Sequence, residues 1–149
     1  MPPLPNFAPP LSDGVSRPFY EGLEQGELRL TACPECGRIY WYPPELLPCH
    51  PSLRPAWRAV SPIGIVYSFT TIMRSLLPGA DPDSVPHTIV LVEPLDAPGA
   101  RVIGLMADDT GEGIGCGDHV RLHPIDMGTH IIPGFVRVEA GRENQEEEA

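Results

Sequence analysis

Two cysteines two residues apart and closed by a glycine, Cys33-Pro34-Glu35-Cys36-Gly37, constrain this chain more than any other feature. A CxxC turn sets two sulfurs on one side of a tight loop. A third cysteine, Cys49, follows after an interval of 12 residues, which is the spacing at which a second donor group closes a tetrahedral zinc site across a short ribbon. A second CxxC starting at Cys49 would end at position 52, but that residue is Ser52, a poor zinc ligand. His50 is the nearest substitute, so the candidate metal ligands are Cys33, Cys36, Cys49 and His50. A thiolate-rich set of this kind holds a structural ion in a closed site. Three other readings remain open on the residues alone: a metal-free ribbon held by Trp41, Tyr42 and Trp57, a redox CxxC, and an open catalytic zinc site.

With 149 residues the chain has room for one ordinary domain or two very small modules. Around the cysteines the pattern is strand-like, with Leu28 to Ala32 and Ile39 to Tyr42 flanking the turn and Trp57 to Val60 closing the module. Before it, Ser16 is placed to cap a short helix from Arg17, with Phe19 and Leu23 on one face and Gly26 as the stop. After it come Gly64 to Met73, Thr88 to Glu93, Arg101 to Met106, His119 to Ile125 and Ile131 to Val138, rich in β-branched and aromatic residues. Five strands with Pro and Gly between them predict a small barrel or sandwich. The expected division is a Pro-rich arm and helix over 1–26, a ribbon over 27–60, a β domain over 61–140 and a disordered acidic tail over 141–149. The arm, with Leu4, Phe7 and Leu11, is expected to lie across a partner.

The net charge is −10 and there is no lysine, every fixed cation being one of ten arginines. Acidity argues against nucleic-acid binding, which depends on neutralising phosphates, and the missing lysine removes Schiff-base chemistry from this chain. No apolar run reaches the length of a membrane span, and the N-terminus lacks a signal-peptide pattern, so a cytoplasmic protein is expected. In that reducing setting four cysteines read as ligands or thiols rather than disulfides.

Other chemistry-bearing groups are weaker. Cys116 with His119 could act as nucleophile and base, but Gly115-Cys116-Gly117-Asp118 reads more simply as a turn. Gly111 to Gly115 lacks the lysine and helix of a phosphate loop. His87, His123 and His130 are dispersed. Asp108, Asp109, Glu112 and Asp118 make an acidic loop, and Arg54, Arg58 and Arg74 bracket the junction of the modules.

Taken as an ordered set, Phe19-Tyr20-Glu21-Gly22-Leu23, Gly26-Glu27-Leu28, the CPECG turn, Pro43-Pro44, Cys49, Trp57 and Gly64-Ile65-Val66-Tyr67-Ser68-Phe69-Thr70 resembles one family over roughly residues 17–138. It is the zinc-ribbon and OB-fold family associated with acyl-CoA enzymes, formerly a domain of unknown function. The resemblance implies a mostly-β chain: a short N-terminal helix, a rubredoxin-like ribbon and a five-stranded OB-type barrel. It implies zinc ligands at Cys33, Cys36 and Cys49, with Ser52 where the family has its fourth cysteine. It also implies a non-catalytic accessory subunit of a thiolase-like enzyme (thiolase, aldolase or acyltransferase) whose ligand is a coenzyme A thioester. The apolar surface of arm, helix and ribbon then leads one to expect two copies around a two-fold thiolase-type dimer, a heterotetramer. Partnership with an enoyl-CoA hydratase and a stand-alone binding module are the alternatives.

Overall fold

The computed structural model describes residues 14–108 and 111–139. The arm, Asp109 and the acidic tail therefore lie outside the described residues. The architecture is mostly β with one short helix, as the sequence leads one to expect: α1 (Arg17–Glu24), a three-stranded sheet and a closed five-stranded barrel.

Helix α1 starts at Ser16, but the serine side chain makes no capping bond. The reason is local. The N-cap oxygen ordinarily accepts from the second or third helical N–H, and the second helical residue is Pro18, which has none. The backbone carbonyl of Ser16 takes the bonds instead, from the N–H groups of Phe19 and Tyr20. The far end closes as expected at Gly26, whose φ of 74° is in the left-handed region. There the N–H of Glu27 reaches Gly22 O at 2.8 Å and the N–H of Gly26 reaches Leu23 O at 3.1 Å, the two bonds of a glycine-terminated helix.

β1 (Leu28–Ala32) lies between β2 (Ile39–Tyr40) and β3 (Ala56–Val60), antiparallel to both. β2 is shorter than the expected Ile39 to Tyr42. Leu28 and Leu30 face the core, where they meet Phe19 and Leu23 of α1. The same apolar cluster runs on into the barrel through Val60, Val66, Val90, Val102, Val120 and Phe135, so helix, ribbon and barrel share one core. Fully burying a side chain of this size contributes about 1.5–3 kcal/mol.

The barrel order is β10-β6-β5-β4-β7, made of β4 (Ile63–Ile72), β5 (His87–Pro94), β6 (Val102–Met106), β7 (His119–Leu122) and β10 (Gly134–Arg137). β5 shows the two-residue period plainly, with Thr88, Val90, Val92 and Pro94 buried and the residues between them half-buried. Closure comes from β10, parallel to β6 and antiparallel to β7. Two strands expected to be continuous are broken. His119 to Ile125 splits into β7 and β8 (Ile125–Asp126), and Ile131 to Val138 splits into β9 (Ile131–Ile132) and β10. Pro124 and Pro133 stand at the breaks, and neither has an N–H to give to a ladder. β8 and β9 pair with each other instead.

Phe135 fills the barrel and is fully buried. Glycine at position 104 makes room for it, since a Cβ there would sit 2.5 Å from the Phe135 ring. Gly104→Ala is therefore expected to destabilise the protein by about 1–3 kcal/mol through overpacking, read as a lower thermal unfolding midpoint with the zinc content unchanged.

Candidate metal centre and surface sites

The CPECG turn is closed by two backbone bonds, Gly37 N–H to Cys33 O and Cys33 N–H to Arg38 O, each 2.9 Å. Gly37 has φ 73°, which a residue with a Cβ adopts only at a cost. Across from it, Leu47 is fully buried and anchors the proline-rich stretch, and the N–H of His50 turns back to Leu47 O at 3.2 Å. That turn lets the adjacent Cys49 and His50 both face the CxxC.

The ligand atoms of Cys33, Cys36, Cys49 and His50 all lie within 4.8 Å of one another. Cys36 Sγ and Cys49 Sγ are 3.5 Å apart, and Cys33 Sγ is 3.3 Å from His50 Nδ1. Tetrahedral zinc with Zn–S bonds of about 2.3 Å would set its sulfurs about 3.8 Å apart, so the four donors are spaced and typed for that ion. Ser52, at the position of the missing cysteine, is exposed. The cysteines are free thiols, with Cys33 buried and Cys36 exposed.

The electrostatics favour thiolates. The Cys49 thiol is pushed down to about 6, first by the Tyr40 hydroxyl and then by His50 and the other sulfurs, against burial. The Tyr40 hydroxyl is buried without a partner of good hydrogen-bond geometry, so its contact with Cys49 is a loose one. For Cys33, burial pushes up, but the backbone N–H groups of Cys36 and Glu35 outweigh it and the net direction is down. His50 is raised, chiefly by its contact with Cys49. Such a cluster is a cation site in waiting.

A stacked aromatic group backs the ribbon. Phe19 and Trp41 have ring centroids 4.6 Å apart, and Trp41 lies edge-on to Trp57 at 6.2 Å and to Tyr42 at 5.5 Å. The aromatic packing offered above as an alternative to metal is thus present beside the cluster. Next to it is a cavity of about 410 Å³ walled by Val15, Thr31, Pro43, Leu46, Arg54 and Trp57, among others, which nothing in the sequence announced.

The remaining candidates are placed as follows. Cys116 is exposed in a turn whose bonds are Asp118 N–H to Gly115 O at 3.2 Å and Gly115 N–H to Asp118 Oδ2 at 2.8 Å. His87 Nδ1 contacts Ser84 O, His130 Nδ1 contacts Thr129 Oγ1, and His123 is exposed on the strand side of Pro124. Asp108 accepts from the Arg137 backbone N–H at 3.1 Å, and the carbonyl of Glu112 accepts from the Arg137 guanidinium. Among the described residues the acidic loop gathers no metal-type group. Of the three arginines only Arg54 lines the cavity; Arg58 lies on β3, and Arg74 is exposed after β4.

On the barrel's outer wall, Ile89, Ile103, Gly104, Leu105, Ile132 and Pro133 line a shallow apolar groove of about 170 Å³. Strand alternation makes it, since Ile103 is 60% exposed between buried Val102 and Gly104.

Comparison with known proteins decides the family. Residues 21–51 match the model of the rubredoxin-like zinc ribbon domain of ChsH2, and residues 57–123 match that of the C-terminal OB-fold domain of ChsH2. The chain belongs to the ChsH2 family. Its barrel is accordingly an OB-fold and its cysteine module a zinc ribbon. No functionally curated protein matches the chain. Among solved structures it is similar to one described as "Ltp2-ChsH2(DUF35) aldolase", with a TM-score of 0.73 and 19% identity over 87% of this chain and 98% of that one. A protein of unknown function from the DUF35 family of Sulfolobus solfataricus gives a TM-score of 0.56 at 14% identity, over 85% of this chain and 87% of that one. Both likenesses are of fold.

Purified protein is expected to carry close to one zinc per chain, measured by elemental analysis. Cys36→Ser or chelation should loosen the CPECG turn and the residues after Leu47 and lower the unfolding midpoint of the whole chain, because the binding free energy of a closed site is folding free energy and ribbon and barrel share one core. Acidification should act in the same direction. A depressed thiol contributes stability that is present above its unfolded pKa and lost as pH falls through its folded value, here about 6 for Cys49. Zinc release monitored against pH checks this.

Proposed function

We infer that this protein is a non-catalytic accessory subunit of a thiolase-like enzyme acting on acyl-CoA, and that it orders the enzyme subunit and walls its acyl-CoA site. The observation that carries the reading is the character of the barrel surface. OB-folds bind oligonucleotides on the face of their second and third strands and on the adjoining loops. Here those strands are β5 and β6, and their outer face holds the apolar groove of Ile89, Ile103 and Leu105. The loop after β4 adds Met73, Leu76 and Leu77, with Leu76 86% exposed. Apolar surface of this kind marks a protein interface, and on a chain of net charge −10 it does not suit a polyanion.

Family membership gives the partner class its support, since a similar fold is described in an aldolase with ChsH2 in its name. The reactive nucleophile and base would then belong to the enzyme subunit. Cys116 sits in a hydrogen-bonded turn, and the ribbon's donors have the thiolate-rich composition of a structural site. Zinc in this reading holds the ribbon, and the division between ribbon and barrel falls after Val60. The assembly is two copies of this chain on a two-fold enzyme dimer. Its setting is the cytoplasm, where thiols stay reduced; among the described residues no helix is long and apolar enough to cross a membrane.

Co-expression with a neighbouring thiolase- or aldolase-type subunit, followed by size-exclusion chromatography with light scattering, should give a stable heterotetramer. An acyl-CoA cleavage assay should need both chains. A chain that stays monomeric beside a fully active enzyme subunit would overturn the reading. In the reconstituted complex Cys116→Ala should leave the rate within about twofold of wild type, as for a surface substitution outside the chemistry. A loss of about a thousandfold with the complex intact would return the nucleophile to this chain.

A further inference from the structure

β4 is long for the barrel it closes. Its first residues are paired on both sides, Gly64 to Val66 with β5 and Ile63 to Ile65 with β7. The loop after Gly115 extends the cover by one residue, through Val66 N–H to Asp118 O at 2.9 Å and Gly117 N–H to Val66 O at 2.8 Å. At Tyr67 the register with β5 shifts by a bulge. Beyond it, Ser68 to Ile72 pair with β5 alone, from Ser68 opposite Leu91 to Ile72 opposite His87. Among the described residues no strand lies on the other side of this stretch.

That leaves an open strand edge of five residues. In an antiparallel strand the N–H and C=O of alternate residues face alternate sides, so the open side presents unpaired donors and acceptors. Proteins usually blunt such an edge with lysine, other charges, proline or a covering loop. Between Ile63 and Met73 there is no charged residue and no proline. Beside the edge the side chains stay largely exposed: Tyr67 is 51% exposed with the Arg101 guanidinium 3.7 Å from its ring centroid, Phe69 is 41% exposed and Met73 71%.

We propose that the open edge of β4, Ser68 to Ile72, is the seat for an extended strand of the enzyme subunit, which continues the β4–β5 ribbon as an added antiparallel or parallel strand. This rests on the accessory-subunit reading and names the surface that makes the contact. Main-chain bonds supply affinity in this mode, and side chains on the added strand supply choice of partner. Phe69, Met73 and Leu77 flank the edge and would receive apolar side chains. Charge selects the enzyme subunit over a second copy of this chain. Each copy carries −10, so pairing two would bring like charge together, a penalty that a strand from an enzyme subunit of smaller negative charge does not carry.

Hydrogen exchange on the full chain, alone and with the co-expressed enzyme subunit, is the test. Amides on the open side of Ser68 to Ile72 should exchange about tenfold or more slowly in the complex. Thr70→Pro and Thr71→Pro supply a second arm, because successive residues face opposite sides and one of the two removes an open-side N–H without touching the β5 ladder. That variant should keep wild-type zinc content and unfolding midpoint while losing about tenfold or more in affinity for the enzyme subunit. A complex that forms with exchange over 68–72 unchanged overturns the proposal and leaves the accessory role standing. Protection that appears in the chain alone and grows with its concentration assigns the edge to a second copy and also overturns it. Failure of any complex to form removes both.

Discussion

The pairing of β4 governs the rest of the molecule. Its first four residues, Ile63 to Val66, are the part of the strand held from both sides, by β5 and by β7 with the loop that leads into it, and that short double ladder is where the barrel closes. Gly64 permits it. A Cβ at that position would fall 2.5 Å from Val92 and 2.6 Å from the carbonyl oxygen of Glu93, so β4 and β5 approach more closely there than a larger residue allows. The bulge at Tyr67 then shifts the register with β5, and from Ser68 onward β4 pairs on the β5 side alone. One strand thus serves two ends. Its start completes a core around Val66, Val120 and Phe135, and its remainder projects with its apolar groups in solvent.

The ribbon meets the same core from the other side. Leu28 and Leu30 alternate with Arg29 on β1, so the inward face of a five-residue strand joins the α1 residues Phe19 and Leu23 to the barrel cluster. A sheet of three short strands has little apolar area of its own, and small modules of this size ordinarily need a metal or another staple. Here two devices act on different parts. The aromatic stack of Phe19, Trp41 and Trp57 ties the ribbon to the helix, while the cysteine and histidine donors bring the CPECG turn and the residues after Leu47 within 4.8 Å, where a bound ion would tie them.

Much of this was legible in the residues. The CPECG turn followed by Cys49 and His50 named the four donors that the fold brings within 4.8 Å, because ligand chemistry leaves few alternatives at that spacing. The strand run from Gly64 and the glycine stop at Gly26 were equally plain. What escaped reading depends on three-dimensional neighbours. Pro124 and Pro133 break strands that hydrophobic pattern alone runs together, since pattern records which face is apolar and not whether an N–H exists to pair. The open edge of β4 is invisible in sequence because GIVYSFTTIM describes a fully paired strand equally well. The groove beside Ile103 needs the register of β5 against β6, and the cavity at Trp57 needs the ribbon set against the residue that leads into α1.

The distribution of polarity separates holding from binding in this chain. Where its donors converge, at the ribbon, the groups are thiols and an imidazole whose best use is to grip one ion, and burial of Cys33 and Leu47 locks that region to the core. Where its surface is exposed along Tyr67, Phe69, Met73 and Leu76, the side chains are mainly apolar, the Arg101 guanidinium lies over the Tyr67 ring, and the open side of the main chain adds donors and acceptors. Among the described residues the ribbon is where thiol and imidazole donors converge. An exposed apolar strand with an open edge is costly for a free protein, since it invites the same pairing from any chain it meets. Net charge of −10 lessens that risk between copies. A strand from another chain would cover that edge and remove its exposed donors and acceptors, which is the physical ground for the docking proposed there.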